Sequence, residues 1–242
     1  MDVLMKRTVA DYVTENIKTA HIFNKYGIHF CCKGEVTIQE ACSERNINVM
    51  DLEKELLTVD RVSDLIEDYN KWELNFLMIY LKNVHHVCLR ENLHLLSQAI
   101  AEILETPRPF HRELKAIGKQ FELMKIRLSK IIGEEEEVLF PLIKELVALK
   151  KEKHLFYDKN LLRKKQKLLK KNRYVRIVIA FEAITKWCKE HEAVKVCKKL
   201  SALCLKLQDM EYDLYEHIHL KNNILYKKVR SLQEEILFEL HY

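Results

Sequence analysis

Two adjacent cysteines, Cys31 and Cys32, have the clearest capacity for chemistry in this chain of 242 residues. They lie in the segment Tyr26–Gly34 (YGIHFCCKG), which has a glycine near each end. A loop close to a helix start favours the thiolate, so one interpretation is a redox-reactive or metal-transferring pair. The alternative is a pair of free thiols buried as small hydrophobic residues. A disulfide between direct neighbours would require a strained ring and is not expected.

Three positions farther along could supply metal ligands: His85 or His86, Glu135 and His217. Glu135 belongs to a run of four glutamates, and both it and His217 fall on apolar stripes of helical period that face a core. On the earlier helix, one apolar stripe contains Phe76, Ile79 and His86, and a neighbouring stripe contains Leu77 and Leu81 and passes near His85. The period therefore does not choose between His85 and His86. A single histidine on an apolar face is more often a hydrogen-bonded core residue than a ligand, so the pattern alone leaves both interpretations open.

Lys221 lies one helical turn after His217 on the same stripe and should also face the interior. An inward lysine is costly unless it is paired with a carboxylate or reaches the surface along its aliphatic stem. A glutamate and a lysine directed at one core would neutralise each other. We therefore expect Lys221 to pair with Glu135 if no metal neutralises that carboxylate.

The composition predicts a helical, cytoplasmic chain with reduced cysteines. Four glycines and three prolines are too few for the turns of an all-β or α/β protein, and 48% hydrophobic residues exclude a disordered chain. Seven cysteines without zinc-module spacing predict free thiols, and no signal peptide or membrane span is expected. The net charge of +5 is concentrated in Arg163–Arg176, which favours a solvated helix face over a nucleic-acid site.

The chain is predicted to contain a small helical unit at residues 1–58 and a larger one at residues 63–242. In the first, Thr37 and Glu40 have the spacing of a capping box, which predicts a helix start. In the second, two prolines within residues 105–110 separate the first two of four long amphipathic segments. Four such segments favour an antiparallel four-helix bundle, so the predicted fold class is all-α.

In this order and spacing the motifs resemble one family, the repair-of-iron-centres proteins of the ScdA type. The resemblance covers almost the whole chain and is most specific at residues 23–34, FNKYGIHFCCKG. It implies a small double-cysteine domain, with Cys31 and Cys32 as reactive residues, followed by a hemerythrin-like four-helix bundle. The family is implicated in repairing iron–sulfur clusters damaged by nitric oxide or oxidants, and it carries a di-iron centre held by four histidines and two glutamates.

Carried over to this chain, the resemblance identifies His86, Glu135 and His217 as metal ligands. A set of two histidines and one carboxylate suits a single non-haem Fe(II). The implied cofactor is therefore iron, with at most one ion per chain in place of the family's di-iron centre. Two aliphatic residues and a cation occupy the other three ligand positions and oppose a second metal: Ile131, Leu162 and Lys221.

Three functions are compatible with this incomplete ligand set. The first, which we favour, is iron–sulfur cluster repair under nitrosative or oxidative stress, with damaged iron–sulfur proteins or iron acceptors as partners. The second is a metal-free binding or regulatory module that pairs with another copy of the chain or with a homologue. The third is a mononuclear Fe(II) site that reacts with O₂ or nitric oxide, which requires an open coordination position. Neither a membrane nor nucleic acid is an expected partner.

Overall fold

The computed structural model describes residues 7–16, 19–28, 30, 34–59, 69–105, 109–152 and 171–239. Every regular element within these ranges is a helix, so the predicted all-α class is confirmed. The described helices before residue 60 are α1 (Val9–Glu15), α2 (Thr19–Lys25), α3 (Ile38–Arg45) and α4 (Val49–Thr58). None of the described helices has the length and apolar character that crossing a membrane requires.

The later helices are long, and three of them contain a π-helical segment within their described residues. The first long helix consists of α5 (Leu74–Tyr80), π1 (Leu81–His86) and α6 (Val87–Leu104). The second consists of α7 (His111–Glu134), π2 (Glu135–Leu139) and α8 (Phe140–Glu152). A 3₁₀ turn (Lys171–Tyr174) leads into α9 (Val175–Glu190), and α10 (Glu192–Val196) follows. The last helix consists of α11 (Lys198–His219), π3 (Leu220–Leu225) and α12 (Tyr226–Glu239).

The chain divides into two compact units. We call Met1–Leu77 together with Ile218–Tyr242 the terminal unit, and Met78–His217 the middle unit. The predicted domain boundary between residues 58 and 63 stays a prediction, because residues 60–68 lie outside the described ranges.

Two capping boxes begin helices of the terminal unit. The side-chain oxygen of Thr37 accepts the backbone N–H of Glu40, whose carboxylate accepts the N–H of Thr37. Thr8 and Asp11 form the same reciprocal pair at the start of α1. Each box satisfies two N–H groups that a helix start otherwise leaves without a partner. The capping box predicted at Thr37 is confirmed.

Gly34 lies where two segments of the terminal unit approach closely. The backbone N–H of Ala10 donates to the Gly34 carbonyl at 2.8 Å. A Cβ atom on residue 34 would overlap the Phe30 carbonyl oxygen and would lie 2.8 Å from the Cβ of Ala10. The backbone has to shift before any side chain fits at this position.

We predict that Gly34→Ala lowers the free energy of unfolding by about 1–3 kcal/mol, the usual cost of overpacking. Urea denaturation followed by circular dichroism measures this. Gly133→Ala is the matched control, because a Cβ there meets no atom within 4 Å. Within helix α7 that control should gain about 0.5–1 kcal/mol. Equal losses in the two variants would contradict the packing explanation.

The described helices of the middle unit form a closed ring. Helix α6 packs against α7, and α7 packs against α9. A disulfide between Cys188 and Cys204 joins α9 to α11. The ring closes where the thiol of Cys88 on α6 lies 3.6 Å from a carboxylate oxygen of Asp213 on α11. Side chains on the inner faces of four helices are thereby directed at one core.

The disulfide corrects the expectation that the cysteines are all reduced. The Cα atoms of Cys188 and Cys204 are 5.5 Å apart, within the range that a disulfide spans. Two long helices packed side by side bring them together, although 16 residues separate them in the sequence. Of the other cysteines in the described residues, Cys42, Cys88 and Cys197 are free thiols.

The apolar stripe predicted on the first long helix is wrong in part. Phe76 and Ile79, assigned to the stripe of His86, are each 51% exposed. Leu77 and Leu81, which belong to the neighbouring stripe, are fully buried. Segment π1 is the physical reason, because a π turn holds one residue more than an α turn and shifts the inward face. A constant period of 3.6 residues cannot follow that shift.

Candidate metal centre

Two π segments of the middle unit position two of the candidate ligands, His86 and Glu135, and the third, His217, lies on α11. Segment π1 ends at His86, and its extra residue leaves both His85 and His86 buried. Segment π2 begins at Glu135, and the N–H of Phe140 donates to the Glu135 carbonyl five residues earlier. Pro141 contributes to this distortion, because it has no N–H to continue the α-helical ladder. π segments recur at functional sites in helical proteins.

The side chains of His86, Glu135 and His217 converge on one point in the core of the middle unit. The Nε2 atoms of the two histidines are 3.1 Å apart. Oε2 of Glu135 lies 3.4 Å from Nε2 of His86 and 3.7 Å from Nε2 of His217. All three side chains have no exposed surface. The structure thus brings together the three residues predicted as ligands.

A carboxylate outside this cluster sets the orientation of His86. Nδ1 of His86 lies 2.8 Å from Oε1 of Glu136, which also accepts a hydrogen bond from Arg90 at 2.8 Å. Burial opposes ionisation of Glu136, but the bonds from His86 and Arg90 outweigh it and lower the pKa of Glu136 below its ordinary value. An ionised Glu136 assigns the proton of neutral His86 to Nδ1. The lone pair on Nε2 then faces the cluster.

Tyr174 orients Glu135 in the same way. Its hydroxyl, buried within the core, donates to Oε1 of Glu135 at 2.9 Å. Oε2 is therefore the oxygen that faces the two histidines. The ring of Tyr174 also contacts His217 edge-on, with 5.6 Å between centroids, and Phe140 stacks against His86 at the same separation. Aromatic walls exclude water and strengthen charge interactions inside the cluster.

These donors fit a single transition-metal ion. Ligand atoms at about 2.1 Å from one metal, with angles between square and tetrahedral, lie about 3.0–3.4 Å apart. Two of the separations between the donor atoms, 3.1 and 3.4 Å, fall within this range, and the third, 3.7 Å between Glu135 and His217, is slightly wider. Glu136 supplies the carboxylate that usually supports a metal-binding histidine from its other nitrogen. Two imidazoles and one carboxylate are also the donor set typical of non-haem Fe(II).

His85 is buried beside this cluster but is not one of its convergent donors. Its ring lies 5.9 Å from that of His217 and 5.3 Å from that of Tyr80, measured between centroids. Burial, with a smaller contribution from His86, lowers the pKa of His85 to about 4. The His85 side chain is therefore uncharged at physiological pH and packs beside the site.

The resemblance implies that a ligand is lost at each of three positions, and the structure describes two of them. Ile131 is buried in α7 one turn before Glu135, whose N–H donates to the Ile131 carbonyl. Lys221, in the terminal unit, has no exposed surface, and its ammonium lies 5.5 Å from the centroid of the Tyr226 ring. The interior position predicted for Lys221 is confirmed, whereas its pairing with Glu135 stays a prediction. Leu162 lies outside the described residues.

Cys31 and Cys32, which are predicted to be reactive, also fall outside the described residues, as does most of the basic stretch. Within that stretch, Arg173 forms an ion pair with Glu134. The sequence interpretation missed two residues of the site, Glu136 and Tyr174. Glu136 was hidden in a run of glutamates that resembles a solvated face, although its position next to Glu135 is a usable signal. Tyr174 is 39 residues from its partner and gave no signal at all.

The sequence of this chain is similar to those of known iron–sulfur cluster repair proteins. The family model ScdA_N, described as "Domain of Unknown function (DUF542)", matches residues 5–60. The "Iron-sulfur cluster repair protein ScdA" of Staphylococcus haemolyticus is 22% identical over 228 residues, which cover 91% of this chain and 96% of that protein. The "Iron-sulfur cluster repair protein YtfE" of Edwardsiella ictaluri is 23% identical, with 87% and 90% covered. A "Probable iron-sulfur cluster repair protein" of Haemophilus influenzae is 26% identical, with 86% and 89% covered.

Proposed function

We propose that this chain, which is similar to the ScdA-type iron–sulfur cluster repair proteins, is a non-haem iron protein of cluster repair. It acts in the cytoplasm under nitrosative or oxidative stress. Its partners are damaged iron–sulfur proteins or acceptors of iron. Its metal centre is degenerate, with one iron in place of the two that its resemblance to the hemerythrin-like family implies.

The observation that carries this proposal is the convergence of His86, Glu135 and His217 in a buried core. Three lone pairs that face one point repel each other unless a cation or protons lie between them. The hydrogen bond to Glu136 places the His86 proton on the far nitrogen, and the bond from Tyr174 leaves one Glu135 oxygen directed inward. This arrangement favours a metal cation over an accidental cluster of polar residues.

Each residue of the site has a defined role in the proposal. His86, Glu135 and His217 hold the ion, while Glu136 and Tyr174 fix the orientation of two of these ligands. A bound iron supplies one-electron and Lewis-acid chemistry. Cys31 and Cys32 provide the thiols for exchange with a damaged cluster or an iron acceptor, since thiolates are the usual ligands of such clusters.

The direct test is repair of a client in vitro. An iron–sulfur dehydratase inactivated with nitric oxide is incubated with the purified chain, ferrous iron and a thiol reductant, and its regained activity is measured. The wild-type chain should restore activity above the level with iron and reductant alone. Cys31→Ser should fall to that background while its helical content is unchanged. Cys197→Ser is the matched control and should repair normally.

Equal repair by Cys31→Ser and the wild type would contradict a chemical role for the cysteine pair. No repair by the wild type, with iron bound, would contradict the repair function itself. The two failures are distinguished because iron content is measured on the same preparations.

A second candidate function, a metal-free binding module, is favoured by one observation. The Nε2 atoms of His86 and His217 are 3.1 Å apart, a hydrogen-bond distance. If His217 carries its proton on Nε2, it donates to His86, and these two imidazoles form a hydrogen bond without an ion between them. Such a protein would bind no iron and would act by pairing with another copy or with an intact homologue. Iron content separates the two functions.

A further inference from the structure

A groove lies between helices α6 and α7 of the middle unit, apart from the candidate metal centre. Its volume is about 570 Å³, within the range of about 300–1,000 Å³ that is typical of small-molecule sites. Most of its lining is apolar: Ile100, Ala101, Leu104, Gly118, Leu123 and Ile126. Leu123 and Ile126 are 58% and 64% exposed. A ligand with an apolar body would therefore gain free energy by covering these side chains.

The middle of the groove has no polar side chain to solvate a charge. Gly118 is buried there, and a Cβ on this residue would lie 3.0 Å from Cγ2 of Ile100 and 3.8 Å from Cδ1 of Leu104. The absence of a side chain at residue 118 lets the two helices approach each other closely. Because a charged group is costly to bury among apolar atoms, the middle of the groove favours the apolar part of a ligand.

The polar groups at one end of the groove neutralise each other. The Ser97 hydroxyl donates to Oε1 of Glu122 and accepts a hydrogen bond from Nζ of Lys125 at 2.9 Å. The Lys125 ammonium also lies 3.2 Å from Oε2 of Glu122. The carboxylate and the ammonium at this end are thus already paired. An anionic ligand gains no charge interaction there.

The other end of the groove, toward the turn between α6 and α7, has two cations. Lys115 and Lys119 both line the groove and are exposed. They are one helical turn apart on α7, so their side chains lie on the same face and their charges repel each other. Among the described residues, neither lysine has an acidic partner. An anion bound between the two ammonium groups would remove their repulsion.

We propose that this groove binds one single-chain fatty acid, with its carboxylate at Lys115 and Lys119 and its chain directed toward Leu123 and Ile126. From residue 115 to residue 126, α7 rises by about 16 Å, which is close to the length of an extended dodecanoate. The apolar lining disfavours a small polar anion, and the two lysines favour a carboxylate over a cationic head group. This ligand site is additional to the proposed iron centre and uses none of its residues.

The extent of the apolar surface favours a fatty acid over a partner helix or a membrane. Exposed charged residues flank both ends of the groove along α7: Arg112, Glu113, Arg127 and Lys130. A helix or a bilayer would have to cover some of these charges, whereas a single chain fits between them. The apolar surface is therefore matched to a small ligand.

The first test is calorimetric titration of dodecanoate into the full chain, below the concentration at which dodecanoate forms micelles. One dodecanoate should bind per chain, with unchanged helical content by circular dichroism. From octanoate to dodecanoate, affinity should rise at least about twofold with each added methylene, since a fully buried methylene contributes about fourfold. Dodecyltrimethylammonium has the same chain with a cationic head, and it should bind about tenfold more weakly because it lacks the charge-assisted contacts.

The second test fills the groove. Ala101 is exposed and lines the groove, so Ala101→Trp places an indole in the space of the fatty-acid chain. This variant should lose measurable binding of dodecanoate. Ala116→Trp is the matched control, because Ala116 is an exposed residue of α7 that does not line the groove.

The third test removes the two cations. The double variant Lys115→Gln, Lys119→Gln should bind dodecanoate about tenfold more weakly, since it loses the charge-assisted contacts to the carboxylate. It should also no longer distinguish dodecanoate from dodecyltrimethylammonium. The matched control is Lys130→Gln, Lys144→Gln, which removes the same charge from exposed positions outside the groove and should bind dodecanoate normally.

Absence of dodecanoate binding by the wild type, or equal affinity for dodecyltrimethylammonium, would overturn the proposal. Unchanged binding in Ala101→Trp would place the fatty acid elsewhere on the protein and would also overturn it. Equal losses in a variant and its matched control would assign the effect to general changes in fold or charge, with the same consequence. None of these measurements uses iron or a repair client, so their outcome is independent of the proposed function.

Discussion

Replacing His217 by alanine is expected to abolish stoichiometric iron binding. The wild-type chain, purified anaerobically with Fe(II), should contain one iron per chain, because three buried donors converge and no further donor of the described residues joins them. Losing even a supporting residue of a metal site costs about 10–100-fold in affinity, so losing a ligand should cost at least about a hundredfold. His86→Ala should have the same effect, since it removes the other imidazole.

The measurement is iron per chain by elemental analysis, followed by competition with a chelator to rank affinities. His94→Ala is the matched control, because His94 is an exposed histidine on the same long helix as His86. Two irons in the wild type would contradict the assigned ligands and indicate that another residue, such as His85 or His154, has been recruited. No iron in the wild type would support the metal-free module.

Ile131→His is expected to strengthen metal binding by at least about tenfold, the smallest effect that a supporting group usually has on a metal site. Residue 131 lies one turn before Glu135 on the same helix, and the backbone hydrogen bond between the two residues shows that they share a face. An imidazole there would add a fourth donor next to the carboxylate. In the absence of metal, the same imidazole is a buried polar group and should lower stability by about 1–3 kcal/mol.

The result is therefore a variant whose thermal stability depends strongly on added Fe(II). Melting temperature with and without metal is the measurement, together with iron content. Lys130→His is the matched control, because it places a histidine on the neighbouring, exposed face of the same turn. A similar gain in iron affinity from Lys130→His would show that the added imidazole acts from the surface and not at the site.

Much of the fold was predictable because its signals are local. A threonine and a glutamate three residues apart predicted the capping box at Thr37, and the scarcity of glycine and proline predicted helices. Glu135 and His217 were placed inward by the apolar residues around them, and both are fully buried. Signals of this kind depend on spacing within one helix, which the sequence states directly.

The features that the sequence did not predict depend on contacts between helices, and spacing within one helix does not encode such contacts. Tyr174 reaches Glu135 across the bundle, and Cys188 meets Cys204 because two long helices lie side by side. The helical period left the choice between His85 and His86 open for another reason. The period changes inside the helix at π1, and an extrapolated stripe is out of phase beyond that point.

The π segments make the number of residues in a helix as important for this site as their identity. Deleting one residue from Leu81–His86 would convert the segment to ordinary α-helix and rotate everything before it by about 100° relative to everything after it. One of the two adjacent histidines, His85 or His86, would then leave the interior, although no ligand had been substituted. Related chains that differ by a single insertion or deletion at this point can therefore gain or lose a ligand that a residue-by-residue comparison would count as retained.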